Sequence, residues 1–230
     1  MIDAANNLER LLDVVRNHAP NLLEMVQVET SGEFADAAEA AVHRCLLKLE
    51  DRRKLLVKAD ETLLSTQLAD MLTLAGVPTK QDPFSNGHVD LLITHLGTDR
   101  FRMLGECKID RGPKYHCDGT SQLLGYCNTS DERALFISFS REANLLERLE
   151  DTREHFDAPE KCHTVSSTDD HRLAFGFIGV HTHAHGRPVT VFHLGCNLHV
   201  EPSTSSTAGS TRRAKNTTAT RKGGTGTQDT

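Results

Sequence analysis

The sequence has no tryptophan, and aromatic residues make up only 5% of its 230 residues. It also lacks any uninterrupted apolar run of about 18 residues, so we expect no membrane span. Its first residues, Met1 to Asn6, show no basic start followed by an apolar stretch, and we therefore expect no secretory signal and a cytoplasmic location. A hydrophobic content of 37% is lean, but over this length it suffices for one globular domain with appendages.

Paired cysteine spacing is absent as well. The chain has six cysteines, and their positions follow no paired pattern. Together with the missing export signal, this distribution predicts reduced thiols in a cytoplasm rather than a disulfide framework. The cysteines are Cys45, Cys107, Cys117, Cys127, Cys162 and Cys196.

Positive charge is scarce outside the C-terminal tail. The chain carries 26 basic and 32 acidic residues. The tail, Glu201–Thr230, holds five of the basic and two of the acidic residues. Residues 1–200 therefore have 21 basic against 30 acidic residues, a net charge of -9. A protein that wraps nucleic acid needs a basic face. Any nucleic-acid surface must be local, or completed by a homodimer or a partner protein.

Residues 1–57 are predicted to form a helical N-terminal region. Leu8, Leu11 and Leu12 recur at near-helical spacing, and Pro20 breaks the run before an alanine-rich segment that extends to Leu56. We interpret this region as a packing or dimerisation module, and a target-sensing module is the alternative. At the other end, residues 201–230 contain almost no apolar side chains, which predicts a disordered tail.

Residues 58–200 alternate between helical and strand patterns. This order predicts an α/β domain in which helices flank a mixed central sheet. A turn-rich loop at Gln81–Gly87 separates the first helix from the first strand. The predicted elements are a helix from Asp60 to Gly76, strands at Val89–Leu96 and Phe101–Ile109, a helix near Gly119–Asn128, a strand at Arg133–Ser140, a helix at Glu142–Phe156, and strands at Leu173–Val180 and Pro188–Val200.

Three charged residues lie on the first two predicted strands. Glu106 and Lys108 are two residues apart, so in a strand they project from the same face while Cys107 faces away. The turn at Gly97 lies near the midpoint of the sequence between Asp90 and Glu106. An antiparallel hairpin can therefore place the two carboxylates side by side. Facing carboxylates repel each other unless a cation lies between them, and oxygen ligands suit a hard divalent cation.

On these motifs the sequence resembles the PD-(D/E)XK, or restriction-endonuclease-like, nuclease superfamily. The resemblance runs from about Asp60 to Phe139 and includes Asp90 as the first acidic position and Glu106-Cys107-Lys108 as the E-x-K motif. Glu61 looks like the upstream acidic residue on the preceding helix. The segment Gln122–Tyr126 looks like the Gln-x-x-x-Tyr helix of many members. No proline stands beside Asp90, where the motif's name has one.

The resemblance implies phosphodiester hydrolysis that depends on Mg²⁺ or Mn²⁺. Asp90, Glu106 and the backbone carbonyl of Cys107 are the expected metal ligands. Lys108 is expected to hold or deprotonate the attacking water, and Glu61 to bind a second ion or orient water. Gln122 is expected to contact the substrate backbone or support the lysine, with Tyr126 beside it. The implied substrate is nucleic acid, with DNA favoured over RNA, and restriction or anti-phage defence is the favoured role, with repair as the alternative.

A second set of candidate ligands lies near the C-terminal end of the predicted domain. His181, His183 and His185 alternate in sequence and could bind zinc from one strand face. The segment also contains Gly186, which favours a hairpin turn with solvated imidazoles. Two alternatives to an active nuclease therefore stay open: a nuclease-like fold used only for binding or assembly, and a zinc-binding module.

Overall fold

The structure is a computed structural model that describes residues 4–82, 89–98, 100–158, 162, 164–173, 175–183 and 185–201. The predicted disordered tail, apart from Glu201, lies outside the described residues, as does most of the predicted loop at Gln81–Gly87. Residues 1–200 form one compact unit. Among the described residues, no helix combines the length and apolarity that crossing a membrane requires.

The N-terminal region is helical, as predicted. Its helices are α1 (Ala4–His18), α2 (Pro20–Val26), α3 (Ser31–Asp51) and α4 (Arg53–Leu56). Proline at the first position of α2 separates it from α1, because proline fits the first turn of a helix but not its interior. A capping box opens α3: the Thr30 side chain accepts from the backbone of Glu33, and the Glu33 carboxylate accepts from the backbone of Thr30.

The helix predicted after Asp60 is α5 (Glu61–Leu74). The Asp60 carboxylate accepts a hydrogen bond of 2.8 Å from the backbone N–H of Leu63, which fixes the first turn. Gly76 follows the helix with a φ of +86°, in the left-handed region that favours glycine. Glu61 is the first residue of this helix.

Seven strands form one mixed sheet, which confirms the predicted architecture at this level. The central strands β3, β4 and β7 run parallel, and the outer pairs are antiparallel. The spatial order is β1-β2-β3-β4-β7-β6-β5. The strands are β1 (Thr79–Asp82), β2 (Val89–Thr94), β3 (Arg102–Ile109), β4 (Arg133–Ser140), β5 (Asp169–Asp170), β6 (Gly176–Thr182) and β7 (Pro188–Asn197), and the remaining helices are α6 (Pro113–Tyr126) and α7 (Leu145–Asp157).

Several predicted element bounds differ from the structure: α7 begins at Leu145 rather than Glu142, and β2 and β7 end earlier than predicted, at Thr94 and Asn197. Strand β1 includes Gln81 and Asp82, for which the sequence predicts a loop. The pattern misses this strand because a polar edge strand lacks apolar alternation. Helix α6 begins at Pro113, six residues before the predicted start at Gly119, since proline occupies its first position. Strand β6 begins at Gly176 rather than Leu173.

Helices cover both faces of the sheet. One face packs against α3 and α5 in a single large core, to which β3 and β4 contribute Cys107, Leu135 and Ile137. The opposite face packs against α6 through Leu104, Leu123 and Phe136, among others. Glu106 and Lys108 alternate with Cys107 along β3 and therefore lie on the α6 face.

The expectation of six reduced cysteines is wrong for one pair. Cys117 on α6 and Cys162 beyond α7 form a disulfide, with Cα atoms 5.7 Å apart. They are separated by 45 residues in sequence, so their proximity depends on how α6 and α7 pack and not on local spacing. The other four cysteines are free and buried.

Candidate active site

The β2–β3 hairpin brings the first two predicted site residues together. Leu91 pairs with Gly105 in antiparallel register, so the next position outward is Asp90 on β2 and Glu106 on β3. Directly opposed residues project from the same face of a sheet, so the two carboxylates share one site. Glu106 is 1% exposed and Asp90 is half-buried.

Lys108 lies at the centre of this arrangement. Its Nζ is 2.5 Å from Oε1 of Glu106 and 3.2 Å from Oε1 of Glu61. The second oxygen of Glu61 accepts a hydrogen bond of 3.0 Å from the backbone N–H of Ile109. Helix α5 therefore delivers Glu61 to the end of β3, where it holds both the lysine side chain and the strand backbone.

Asp90 is held by the backbone as well. Its Oδ2 accepts a hydrogen bond of 2.8 Å from the N–H of Cys107, across the strand pair. The Cys107 side chain points into the opposite core and is fully buried. This residue therefore orients the aspartate through its backbone while its thiol fills space on the other face.

Three carboxylates surround one ammonium group, which leaves the site short of positive charge. Burial raises the pKa of Glu106 to about 7, and the charges of Asp90 and Glu61 add to the increase, although the Lys108 hydrogen bond opposes it. Burial also raises the pKa of Asp90. For Lys108, burial alone would lower the pKa, but the hydrogen bond to Glu106 and the surrounding carboxylates outweigh it, and the net direction is upward.

The donor set suits a hard divalent cation. Oε2 of Glu106 is buried and has no hydrogen-bond partner. A buried carboxylate oxygen without a partner is costly, and a cation offsets that cost. Asp90 is close enough for its charge to raise the pKa of Glu106, and the expected third ligand is the backbone carbonyl of Cys107. These residues fit Mg²⁺ or Mn²⁺ by ligand type.

Gln122 and Tyr126 do not join the contacts that surround Lys108 within the described part of the chain. The Gln122 amide donates a hydrogen bond of 2.7 Å to the Tyr126 hydroxyl on the same helix. Gln122 is exposed and Tyr126 half-buried, so their expected contact with substrate stays a prediction.

The structure adds Gly119, a residue that the motifs did not single out. A Cβ atom at this position of α6 would lie 2.8 Å from the Phe136 ring and 3.3 Å from Cγ of Lys108. Helix α6 can therefore approach the sheet closely enough to cover the lysine stem only because residue 119 has no side chain. Because the predicted helix begins at Gly119, the local pattern did not mark this glycine as lying inside the helix.

An ion pair at the end of β3 was also missed. Arg148 of α7 donates to the carboxylate of Asp110, and that carboxylate also accepts from the backbone N–H of Gly112. The pair fixes α7 to the segment that leaves Lys108. Nothing in the local pattern distinguishes Arg148 from its charged neighbours on an amphipathic helix.

The predicted histidine cluster does not form one ligand set. His181 lies in β6 and His183 directly after it, and both are buried rather than solvated. Their nitrogens lie near different carbonyls: Nδ1 of His181 is 3.1 Å from the oxygen of Cys162, and Nε2 of His183 is 2.8 Å from that of Cys127. Among the described residues, the one group of three or more such side chains with suitably close ligand atoms is Cys117, His155 and Cys162.

Comparisons with known proteins supply no relative. No protein-family model matches the chain, and neither the curated proteins nor the solved structures contain a match. The inference of function therefore depends on the geometry of the site.

Proposed function

We propose that this protein is a metal-dependent nuclease of the PD-(D/E)XK kind, which hydrolyses phosphodiester bonds in DNA. The observation that carries the proposal is the shared position of Asp90, Glu106 and Lys108 on one face of the β2–β3 hairpin. A buried and a half-buried carboxylate beside a single ammonium group form a donor set that suits metal-assisted phosphoryl chemistry.

The arrangement of elements supports a restriction-endonuclease-like fold. Glu61 begins helix α5, Asp90 and Glu106 lie on consecutive antiparallel strands, and Gln122 lies on the helix that follows. These are the elements on which the resemblance places its four motifs. The parallel strand β4 beside β3 continues the mixed sheet.

In this proposal Asp90 and Glu106 hold the divalent cation. A Mg²⁺ or Mn²⁺ ion held there would supply positive charge to the scissile phosphate and would lower the pKa of a bound water. The unpartnered oxygen of Glu106 would be one of its ligands. Since the pKa of Glu106 is raised to about 7, cation binding and proton release from this residue are coupled.

Lys108 acts as a hydrogen-bond donor rather than as a general base. Its raised pKa keeps the side chain positively charged, so it can orient the attacking water and stabilise negative charge that develops on the phosphate. Of the two roles that the resemblance implies for the lysine, holding water is the one that this environment favours. Glu61 is a positioning residue, since it contacts Lys108 and the backbone of Ile109.

Cleavage assays on purified protein test the proposal. We expect cleavage of DNA with Mg²⁺ or Mn²⁺, and none with EDTA. Glu106→Ala and Lys108→Ala should each reduce the rate at least about 100-fold, the scale of losing one general catalyst or one transition-state donor. Single-stranded, double-stranded and branched DNA, together with RNA, form the substrate panel.

The matched controls are Glu154→Ala and Lys54→Ala, which remove exposed charges on α7 and α4. They should leave the rate unchanged. Undiminished cleavage by both site variants would overturn the assignment. A folded wild-type protein that binds nucleic acid without cutting it would instead indicate a nuclease-like binding or assembly protein.

The acidic balance of the chain leads us to propose that it acts as a homodimer or with a partner protein. Residues 1–200 carry a net charge of -9, which opposes unaided binding of a polyanion. Light scattering with and without a DNA duplex measures the mass of the active species. A monomer that cuts DNA unaided would contradict this part of the proposal. Restriction or anti-phage defence is the cellular role that we favour.

A further inference from the structure

A second group of metal-ligating side chains lies away from the proposed nuclease site. Cys117 lies in the first half of α6, His155 lies in the last turn of α7, and Cys162 follows that helix. One ligand atom from each, two Sγ atoms and one imidazole nitrogen, lies within 4.8 Å of both others. Both cysteines are buried and the histidine is half-buried.

We propose that Cys117, Cys162 and His155 form a Zn²⁺ site in the reduced protein, and that formation of the Cys117–Cys162 disulfide abolishes it. Thiolate sulfur and imidazole nitrogen are the ligands that Zn²⁺ prefers, whereas Mg²⁺ and Mn²⁺ prefer oxygen. The two proposed metal sites therefore take different ions. The proposal does not depend on the nuclease assignment.

The two states of the site are related by balanced chemistry. In the structure, the sulfur atoms of Cys117 and Cys162 are bonded to each other. A thiol reductant donates two electrons, its own sulfur atoms become a disulfide, and the S–S bond of the protein is replaced by two S–H groups. Zn²⁺ then binds as the two thiols release their protons.

Three protein ligands leave one position of a tetrahedral zinc ion for water or another small ligand. His155 is half-buried and both cysteines are buried, so the histidine is the ligand nearest to solvent. The site also joins two helices: Cys117 belongs to α6 and His155 to α7, and α7 is tied to β3 through Arg148 and Asp110. Either the disulfide or the zinc ion would link α6 to the C-terminal end of α7 or to Cys162 after it.

Metal content and thiol counts of the full chain, purified without a histidine tag, test this inference. After reduction and removal of reductant under anaerobic conditions, the protein is incubated with Zn²⁺ or Co²⁺. We expect one Zn²⁺ per chain by mass spectrometry, and a thiolate-to-cobalt charge-transfer band with Co²⁺. Protein with the disulfide intact should bind neither ion at this site, and its denatured form should show two fewer reactive thiols.

Variants assign the ligands. The double variant Cys117→Ser/Cys162→Ser should lose the zinc ion and the cobalt band. His155→Ala should weaken zinc binding at least about tenfold, since the loss of even an outer partner of a ligand has that effect. His155→Ala removes no thiol, so the number of reactive thiols stays the same. A loss of zinc affinity in this variant therefore reports metal binding and not a purely structural role of the disulfide.

Matched controls are Cys45→Ser, a buried free cysteine of α3, and His18→Ala, an exposed histidine at the end of α1. Both should keep the zinc ion, as should Glu106→Ala at the nuclease site. Reduced wild-type protein with no more zinc than the double variant would overturn the proposal. Unchanged affinity in His155→Ala would remove the histidine from the site and overturn the three-ligand assignment.

Discussion

Glu106 illustrates how a single buried carboxylate couples stability to pH at the candidate site. Its side chain is 1% exposed, with one oxygen on Lys108 and the other without a partner. Because burial raises its pKa from an ordinary 4.5 to about 7, the folded protein binds a proton more tightly than the unfolded chain does. The stabilisation from this residue is complete below about pH 4.5 and is lost as the pH rises through about 7.

We predict that Glu106→Gln flattens this pH dependence. Without Mg²⁺, the free energy of unfolding of the wild type should fall from pH 5 to pH 8. This fall should exceed that of the variant by on the order of 2 kcal/mol. Mg²⁺ should restore stability to the wild type at pH 8 and have no effect on the variant. Urea unfolding at the two pH values measures both quantities, with Glu154→Gln as the control, and parallel curves would contradict the prediction.

Elements are positioned by close contacts as well as by apolar periodicity. Helix α6 packs on the sheet, and a Cβ atom at Gly119 would lie 2.8 Å from the Phe136 ring and 3.3 Å from Cγ of Lys108. The same helix carries a second glycine, Gly125, around which a Cβ atom would meet nothing within 4 Å. The two glycines therefore separate the effect of helix propensity from the effect of packing.

We predict opposite effects from alanine at these two positions. Gly119→Ala should destabilise the fold by about 1–3 kcal/mol, because the new methyl group is forced against Phe136 and the lysine stem. Gly125→Ala should stabilise it by about 0.5–1 kcal/mol through helix propensity alone. Urea unfolding checks the signs. Equal shifts in the two variants would show that α6 does not press on the sheet at Gly119.

At the scale of the molecule, helices α2, α3 and α4 share one core with the sheet. Ala38, Val42 and Leu49 of α3 are fully buried in the same cluster as Leu68 of α5 and Ile137 of β4. The boundary at residue 57 was placed from the change in sequence pattern and stays a prediction. A shared core indicates that α2, α3 and α4 fold together with the sheet, whatever further role these helices have.

We predict a single cooperative unfolding transition for residues 1–200. Leu49→Ala in α3 and Leu68→Ala in α5 should each lower the free energy of unfolding by about 2–5 kcal/mol, because each leaves a cavity in that core. Far-ultraviolet circular dichroism and tyrosine fluorescence should report the same midpoint in each protein. Two separated transitions would instead show that the helical region is an independent domain.

The sequence by itself determined the order of the main elements and the placement of Asp90, Glu106 and Lys108 on one hairpin face. Both follow from local causes: the two-residue period of a strand, the Asp60 cap and the turn near Gly97. These causes act within a few residues and are visible in the chain. The mixed α/β architecture was predictable for the same reason.

Only the tertiary structure decided which distant residues meet. The contact of Glu61 with Lys108, the glycine that brings α6 onto that lysine, and the convergence of Cys117 and Cys162 all join separate elements. Such contacts depend on how helices pack across a sheet, which residue spacing does not encode. The buried positions of His181 and His183 have the same origin, because burial depends on what covers β6 and not on the sequence of the turn.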